Sequence, residues 1–166
     1  VASASVELAA RACYENYTLH IGSRLTRNEV HVILQGRKAN CSLYGAYAGR
    51  GNQHIDTTTF VDHAVPDCRS REVYKGALDD KSRGVFQGKV LVRKDAQRTD
   101  GHQLNKALLL SEGAEINAKP ELEIYADDVK CSHGATAGEL DEEQLFYLRS
   151  RGVMEAEARD LLVTAF

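Results

Sequence analysis

Seven short apolar and β-branched runs punctuate this sequence, and the connections between them are rich in Gly, Asn and Asp. Runs of this length with turn residues between them predict strands. They lie at residues 30–34, 41–47, 54–61, 69–78, 85–92, 107–110 and 122–129. The pattern of residues 1–28 fits either strands or a helix. With two prolines and thirteen glycines in 166 residues, many short strands are favoured over a helical bundle.

A weak internal repeat adds to this expectation. Residues 74–78 (Tyr-Lys-Gly-Ala-Leu) resemble residues 86–90 (Phe-Gln-Gly-Lys-Val), and residues 43–45 carry the same juxtaposition of an aromatic side chain and a glycine. Alternation is clear in residues 83–93, where apolar side chains and Gly take one face. Many short strands with a rough repeat predict a β-solenoid or a β-sandwich, and the pattern alone does not separate the two.

The C-terminus changes from strand to helix. Asp141, followed by Gln144 three residues later, predicts an N-cap, and Gly152 predicts the end of that helix. A second helix is expected from about Met154. The apolar positions of the two helices are Leu145, Phe146 and Leu148, then Ala158, Leu161, Leu162 and Ala165. We therefore expect a β core at residues 1–138 and a C-terminal helical segment at residues 139–166, which is expected to be truncated.

Composition excludes several classes of protein. The net charge of −3 offers no clustered basic excess for nucleic acid, and no apolar run approaches the length of a membrane span. The chain shows neither a secretory signal pattern nor an initiator Met, so it is expected to be a fragment. Four widely spaced cysteines without a C-x-x-C pair predict a reducing compartment, hence the cytoplasm.

Cys131 and His133 are the leading candidates for a functional site. They follow the predicted strand of residues 122–129, and their two-residue spacing places both side chains on one face of an extended strand. A thiolate and an imidazole together suit iron, zinc or copper. Two ligands do not close a metal site, so further ligands must come from elsewhere in the chain, from a partner or from water. The alternative is an inert half-buried cysteine beside a polar histidine.

A second group of potential metal ligands is better explained as structure. It comprises His54, Asp56, Asp62 and His63. Strand parity places the first three on one face and His63 on the other, which argues against a shared metal ion. Asp, His and Thr commonly satisfy backbone groups and form ladders in solenoid turns. Residues 127–128, a pair of aspartates, are likewise predicted to form a solvated turn between strands.

The other three cysteines are Cys13, Cys41 and Cys68. Free cysteines often behave as small hydrophobic residues, and this is the prediction for all three. Cys68 is followed in sequence by Arg69 and Arg71, whose positive charges would lower the pKa of the thiol if they lie close to it. No P-loop or Rossmann glycine pattern is present, so no nucleotide site is expected in this chain.

An ordered string of motifs carries a resemblance to a known family. The motifs are His54-x-Asp-Thr-x-Thr-x-x-Asp-His63, Pro66-x-Cys68-x-Ser70, Tyr74-Lys-Gly76-x-Leu-x-Asp80, Arg83-x-Val-Phe-x-Gly88, Ala96-Gln-x-Thr-Asp100, Gln103-x-Asn105-x-x-Leu-Leu-Leu-Ser111, Pro120-x-Leu-Glu-Ile-Tyr-Ala-Asp-Asp128 and Cys131-x-His-Gly-Ala-Thr136. Over about residues 36–166 the chain resembles the SufB/SufD family, the scaffold proteins of SUF iron–sulfur cluster assembly. The Cys131 motif and residues 145–152 resemble the SufD branch.

This resemblance implies a right-handed parallel β-helix core followed by short C-terminal helices. It also implies a non-catalytic scaffold that pairs with a SufB-like subunit and binds the SUF ATPase, a SufC-like subunit, through those helices. A transient iron–sulfur cluster would form at the subunit junction, with His133 and Cys131 sharing its ligation with the partner chain. The isolated chain is expected to hold no cluster and could self-pair as a homodimer.

Two alternatives remain open at this point. A β-helical carbohydrate-active enzyme would need acidic or basic side chains along its parallel strands, and Asp56, Asp62 and Lys75 are possible members. A purely architectural partner would hold the same position in the complex without supplying any metal ligand.

Overall fold

Ten strands wind into a parallel β-solenoid of about five turns, and two short helices follow them. A computed structural model describes all residues 1–166 and has 58% of them in strands. The strands are β1 (Ala2–Leu8), β2 (Cys13–His20), β3 (Leu25–Leu34), β4 (Asn40–Gly49), β5 (His54–His63), β6 (Arg69–Leu78), β7 (Arg83–Val92), β8 (Thr99–Leu109), β9 (Glu115–Ile124) and β10 (Val129–Gly138). The helices are α1 (Glu142–Ser150) and α2 (Glu155–Ala165).

The odd-numbered and even-numbered strands form two separate five-stranded sheets. Their orders are β1-β3-β5-β7-β9 and β10-β8-β6-β4-β2, and every neighbouring pair is parallel. Each turn of the solenoid thus adds one strand to each sheet. The mainly-β prediction of a parallel β-helix followed by helices is confirmed. The sandwich alternative is wrong, because sandwiches are built from antiparallel sheets.

Register stacks similar side chains on top of one another inside the solenoid. Val32, Val61 and Val90 occupy equivalent positions on β3, β5 and β7, and all three are fully buried. Aromatic rings stack on glycines in the other sheet: a Cβ on Gly76 would lie 1.9 Å from Cε2 of Tyr47, its partner one turn away. The ring of Tyr47 therefore requires a glycine in the neighbouring turn, whereas Gly88, in the other half of the predicted repeat, lies closest to the amide of Gln103.

One corner of the solenoid is held by charged turn residues. The carboxylate of Asp67 accepts hydrogen bonds from Arg37 of the preceding turn and Arg98 of the following turn, at 2.6 Å each. These hydrogen bonds hold the pKa of Asp67 at about 2. Lys38, Asp67 and Arg98 all have positive φ, so the same turn conformation recurs at this corner. Side-chain hydrogen bonds therefore link the three successive turns at this corner, in addition to the backbone hydrogen bonds between strands.

The structure resolves one ambiguity of the sequence and corrects two predicted boundaries. The ambiguous residues 1–28 form β1, β2 and the start of β3, and β8 begins at Thr99, well before residue 107. The predicted strand at residues 122–129 is wrong, because it spans the end of β9, a turn and the start of β10. That turn docks on its neighbour: Asp128 accepts a backbone hydrogen bond from Arg98 at 2.6 Å and donates one to Gln97 Oε1 at 2.9 Å.

The two C-terminal helices begin and end close to the predicted positions. Asp141 caps α1, its Oδ1 accepting from the backbone N–H of Glu143 at 2.9 Å and of Gln144 at 3.1 Å. Gly152 has a φ of 89°, as expected for a residue that ends a helix. No helix is long and apolar enough to cross a lipid bilayer. The division into a β core at residues 1–138 and a helical segment at residues 139–166 stays a prediction.

The predicted apolar faces of the helices are only partly buried. Leu145 and Ala158 are buried, whereas Phe146 is 73% exposed and Leu161 is 49% exposed. Two hydrogen bonds join the solenoid to Arg159, within α2, and to Phe166, the residue after it. Lys75 on β6 donates to the carbonyl of Phe166, and Arg159 donates to the carbonyl of Leu110 at 2.9 Å. These hydrogen bonds attach α2 to the outer side of the even-numbered sheet, and α1 packs against α2.

Candidate functional site

Cys131 and His133 lie on β10, the last strand of the even-numbered sheet. Their register partners on β8 are Gly101 and Gln103, both of which are buried. Since in-register residues of parallel strands point to the same side, both candidates occupy inward-facing positions, as their spacing predicts. β10 pairs only with β8, so its other edge is free. The two side chains thus stand together on the terminal turn of the solenoid.

The thiol of Cys131 lies against the buried core. A Cβ on Gly101 would be 3.4 Å from both Cys131 Sγ and Ser70 Oγ, which shows how closely the two side chains approach the same glycine. Behind them, Ser70 Oγ is 2.8 Å from Nε2 of His63. Burial raises the pKa of Cys131 and lowers the pKa of His63 to about 4. The thiol is half-buried, so one side of it remains open at the end of the solenoid.

A second polar column lies behind His133. Glu72 on β6, Gln103 on β8 and His133 on β10 are in register. Gln103 Nε2 donates to Glu72 Oε1 at 3.2 Å, and both side chains are almost completely buried. Burial raises the pKa of Glu72 to about 7, against the opposing effect of its hydrogen bonds. His133 itself is exposed because no further turn of the solenoid covers it.

Glu72 and Gln103 were not singled out by the sequence reasoning. Their signal was available: both are long polar side chains at inward-facing positions, where alternation calls for apolar residues. A buried carboxyl of this kind is uncommon and is often associated with a functional site.

The donor set on β10 is incomplete for a metal ion. No group of three or more His, Cys, Asp or Glu side chains is placed to hold one. A thiolate and an imidazole on one strand supply two ligands suitable for iron, and the free edge leaves room for a second chain to supply others. The arrangement therefore suits a site shared across an interface.

In the second group of potential ligands, the two aspartates form ion pairs with arginines. Asp56 accepts from Arg27 at 2.8 Å, and Asp62 accepts from Arg93 at 2.6 Å. Both aspartates lie on the outer face of β5, whereas His63 points inward and is fully buried. The parity argument that separates His63 from the others is confirmed.

Two of the three remaining cysteines behave as predicted. Cys41 and Cys68 are fully buried, but Cys13 is exposed, so the prediction of a small hydrophobic role is wrong for Cys13. The predicted lowering of the Cys68 pKa is also wrong. Burial raises that pKa, since the thiol lies inside the turn, where it donates to the carbonyl of Gly36 at 3.3 Å. Cys131 is then the one half-buried thiol of the chain.

The geometry does not favour a carbohydrate-active site. Asp56 and Asp62 are six residues apart on one strand, which separates them by roughly 20 Å. Glycoside hydrolases need two carboxyl groups within about 10 Å of each other. Lys75 lies on the other sheet, where it contacts Phe166. These three residues do not form one site.

Comparison with known proteins agrees with this architecture. The whole chain, residues 1–166, matches the family described as SUF system FeS cluster assembly, SufBD core domain. It is 40% identical over 159 residues to the iron–sulfur cluster assembly protein SufD of Escherichia coli (strain K12), covering 96% of this chain and 38% of that protein. A SufBD family protein of Synechocystis is 37% identical over 166 residues, covering 100% of this chain and 37% of that protein.

A plant relative shows a similar match. The chloroplastic protein ABCI7 of Arabidopsis thaliana is 38% identical over 164 residues, covering 97% of this chain and 34% of that protein. The chain thus spans about a third to two fifths of the length of these relatives. Fold and site together define a parallel β-solenoid with a thiol and an imidazole on its open terminal turn. The chain belongs to the SufB/SufD family, on the SufD branch.

Proposed function

We propose that this chain is part of a non-catalytic scaffold subunit for iron–sulfur cluster assembly in the SUF system. One observation carries the proposal: Cys131 and His133 share the inward face of β10, whose outer edge is free. Family membership supports the general role. The reducing cytoplasm is the compartment in which such free thiols would persist.

The free edges of β9 and β10 are the proposed contact with a SufB-like subunit. Each of these strands ends its sheet, so each presents a row of backbone donors and acceptors on one side. A second solenoid could add its own strands there and continue both sheets. The same edges would let isolated chains pair with each other as a homodimer.

The iron–sulfur cluster is the cargo of this junction. His133 and Cys131 would supply an imidazole and a thiolate to it, and the SufB-like subunit would supply the remaining ligands. Two ligands on one strand cannot enclose a cluster, so the isolated chain would not retain one. Cys131 must lose its proton to bind iron, and burial in the free chain opposes this loss.

The C-terminal helices are the proposed attachment point for the SUF ATPase, a SufC-like subunit. Phe146 and Met154 are each 73% exposed and Tyr147 is 58% exposed, which leaves an apolar and aromatic surface on the helical pair. Surfaces of this kind are typical of protein interfaces. Because α2 is hydrogen-bonded to Lys75 on β6 and to Leu110 after β8, movement of the ATPase would act on the sheet that also contains β10.

The remaining alternative is an architectural partner without metal ligands. It has the same fold, the same partners and the same helices, and differs only in that Cys131 and His133 would not touch the cluster. Substitution of those two side chains distinguishes a scaffold that binds the cluster from a purely architectural partner.

The test is anaerobic reconstitution of the intact SUF complex with iron and sulfide, followed by visible absorption. Cys131→Ala and His133→Ala are compared with Ser132→Ala, a matched control on the same strand whose side chain points outward to His102. We expect one or both inward substitutions to abolish the cluster band while the complex still elutes as one species. Normal reconstitution of both would establish the architectural alternative.

A further inference from the structure

The interior of the solenoid contains a buried side-chain amide whose nitrogen is hydrogen-bonded but whose oxygen is not. Gln103 is 3% exposed, and its Nε2 donates to Glu72, but its Oε1 has no hydrogen-bond partner. A buried carbonyl oxygen without a donor destabilises the folded protein. Such an arrangement calls for a donor close to Gln103.

His133 is the side chain next in line. It occupies the register position of Gln103 one turn further along, on the same inward face. Neighbouring strands are about 4.8 Å apart, so in-register side chains are within reach of each other. The order Glu72, Gln103, His133 thus runs from the closed core to the open terminal turn.

Glu72 fixes which end of the Gln103 amide faces His133. At pH 8, above the pKa of about 7 that burial gives Glu72, its carboxylate is ionised and only accepts hydrogen bonds, so the amide nitrogen of Gln103 faces it. The carbonyl oxygen of Gln103 then faces the side of His133, where it is available to accept a hydrogen bond. Gly88 makes room for this orientation: a Cβ there would lie 2.2 Å from Nε2 and 2.7 Å from Cδ of Gln103.

We propose that Gln103 is a positioning residue for His133, its buried Oε1 accepting a hydrogen bond from one ring N–H of the imidazole. The other ring nitrogen is then unprotonated and directed toward the open end of the solenoid. Histidines that bind metals commonly donate their second ring N–H to a carbonyl or carboxylate, which fixes the tautomer and the ring orientation. The inference rests on the proposed function in that it treats His133 as an iron ligand.

The test reads the His133 tautomer in the intact protein without iron. Histidine labelled with ¹⁵N is observed by NMR at pH 8, and the His133 signals are assigned by their loss in His133→Asn. Gln103→Leu removes the acceptor at similar volume, and Gly88→Ala displaces the amide while keeping every polar atom. Asn105→Leu is the matched control, because Asn105 is another buried inward amide on β8.

We expect Gln103→Leu and Gly88→Ala each to change the ratio of the two His133 tautomers by about fivefold, the factor that one net hydrogen bond supplies. Asn105→Leu should leave the ratio unchanged. Thermal unfolding of each variant verifies that the solenoid is intact. A ratio that Gln103→Leu leaves within twofold of wild type overturns the inference.

Fe(II) binding to the intact complex is then measured separately. Loss of a partner that orients a metal-binding histidine typically lowers metal affinity about 10- to 100-fold, and we expect this range for Gln103→Leu. Should His133→Ala leave Fe(II) binding unchanged, the proposed iron-binding function fails, while a shifted tautomer ratio still establishes the contact between Gln103 and His133. The two failures are therefore distinguishable.

Discussion

The ring of Tyr74 lies directly over Gly45, its register partner one turn away, where a Cβ would come 2.2 Å from Tyr74 Cδ1. Two positions along the same strands the relationship is reversed, with the ring of Tyr47 over Gly76. Each aromatic ring therefore fills the space that the glycine of the neighbouring turn leaves open. Because the rings and glycines must alternate, this pairing fixes the register of β4 against β6.

Gly45→Ala should destabilise the protein. The new methyl group would have to displace the ring of Tyr74, which is fully buried, and overpacking of this kind costs about 1–3 kcal/mol. Denaturant unfolding of the intact protein measures the change as a lower midpoint. Gly138→Ala is the control, since a Cβ at Gly138 meets nothing within 4 Å. Equal midpoints for the two variants would contradict the close packing described for Tyr74.

The stability of the core should depend on pH through two opposing groups. The pKa of His63 is about 4 in the folded protein, below its ordinary value of 6.5. The unfolded chain therefore binds a proton first as the pH falls from 6.5 to 4, and stability is lost over that range. The pKa of Glu72 is about 7, above its ordinary value of 4.5. Here the folded protein binds the proton first, so stability is gained as the pH falls from 7 to 4.5.

The two contributions overlap and largely cancel in the wild type, and substitution should reveal each of them. In Glu72→Gln the free energy of unfolding should fall toward acid between pH 6.5 and 4, because Glu72 no longer opposes the effect of His63, and the pKa of His20, which burial lowers, acts in the same direction. In His63→Gln it should rise toward acid between pH 7 and 4.5. Each slope is limited to about 1.4 kcal/mol per pH unit for one proton. Parallel pH profiles for the two variants, measured by denaturant unfolding, would refute the opposing assignments.

Asp141→Ala should loosen the first turn of α1. The substitution removes the carboxylate that caps the backbone N–H groups of Glu143 and Gln144, at a cost of about 1 kcal/mol. Hydrogen exchange at those two amides should accelerate about fivefold, the factor that corresponds to this energy. Asp127→Ala, at an exposed turn position, serves as the control. Unchanged exchange in Asp141→Ala would mean that packing alone holds the helix start.

Phe146→Ala should weaken binding of the SufC-like ATPase without unfolding the protein. Its ring is 73% exposed, so its removal leaves the core unaltered, whereas removal of an aromatic anchor from an interface typically costs more than 1 kcal/mol. Calorimetric titration of the ATPase should show about tenfold weaker binding. Tyr17→Ala, at a 72% exposed ring remote from the helices in sequence, should bind as wild type does. Equal affinities for the two variants would argue against the proposed attachment surface.

Alternation and turn residues predicted most of the strands, but they did not distinguish a β-solenoid from a β-sandwich. The solenoid differs from a sandwich in which strand pairs with which, and pairing at a distance of about 30 residues leaves no trace in local alternation. The pairs of Tyr74 with Gly45 and of Tyr47 with Gly76 carry that information. The weak repeat recognised in the sequence matched residues 74–78 with residues 86–90, which lie on different sheets, so the resemblance to the SufB/SufD family decided the fold class.

For the site, spacing alone placed Cys131 and His133 on one face correctly. Their position on a separate strand was missed, because the turn that separates β9 from β10 is held by bonds to the neighbouring turn at Gln97 and Arg98. Glu72 and Gln103 were missed for a related reason. Long polar side chains on a strand are usually assigned to its solvent-facing side, and this assumption outweighed the alternation that places both residues on the inward face.

Two anchors attach α2 to the solenoid, and they sit on different turns: Lys75 on β6 holds the carbonyl of Phe166, and Arg159 holds the carbonyl of Leu110 after β8. Two separated points of attachment fix a direction as well as a position. The helical pair cannot pivot about residues 139–141 without breaking one of them. A displacement of α2 would consequently act on two adjacent turns of the solenoid at once.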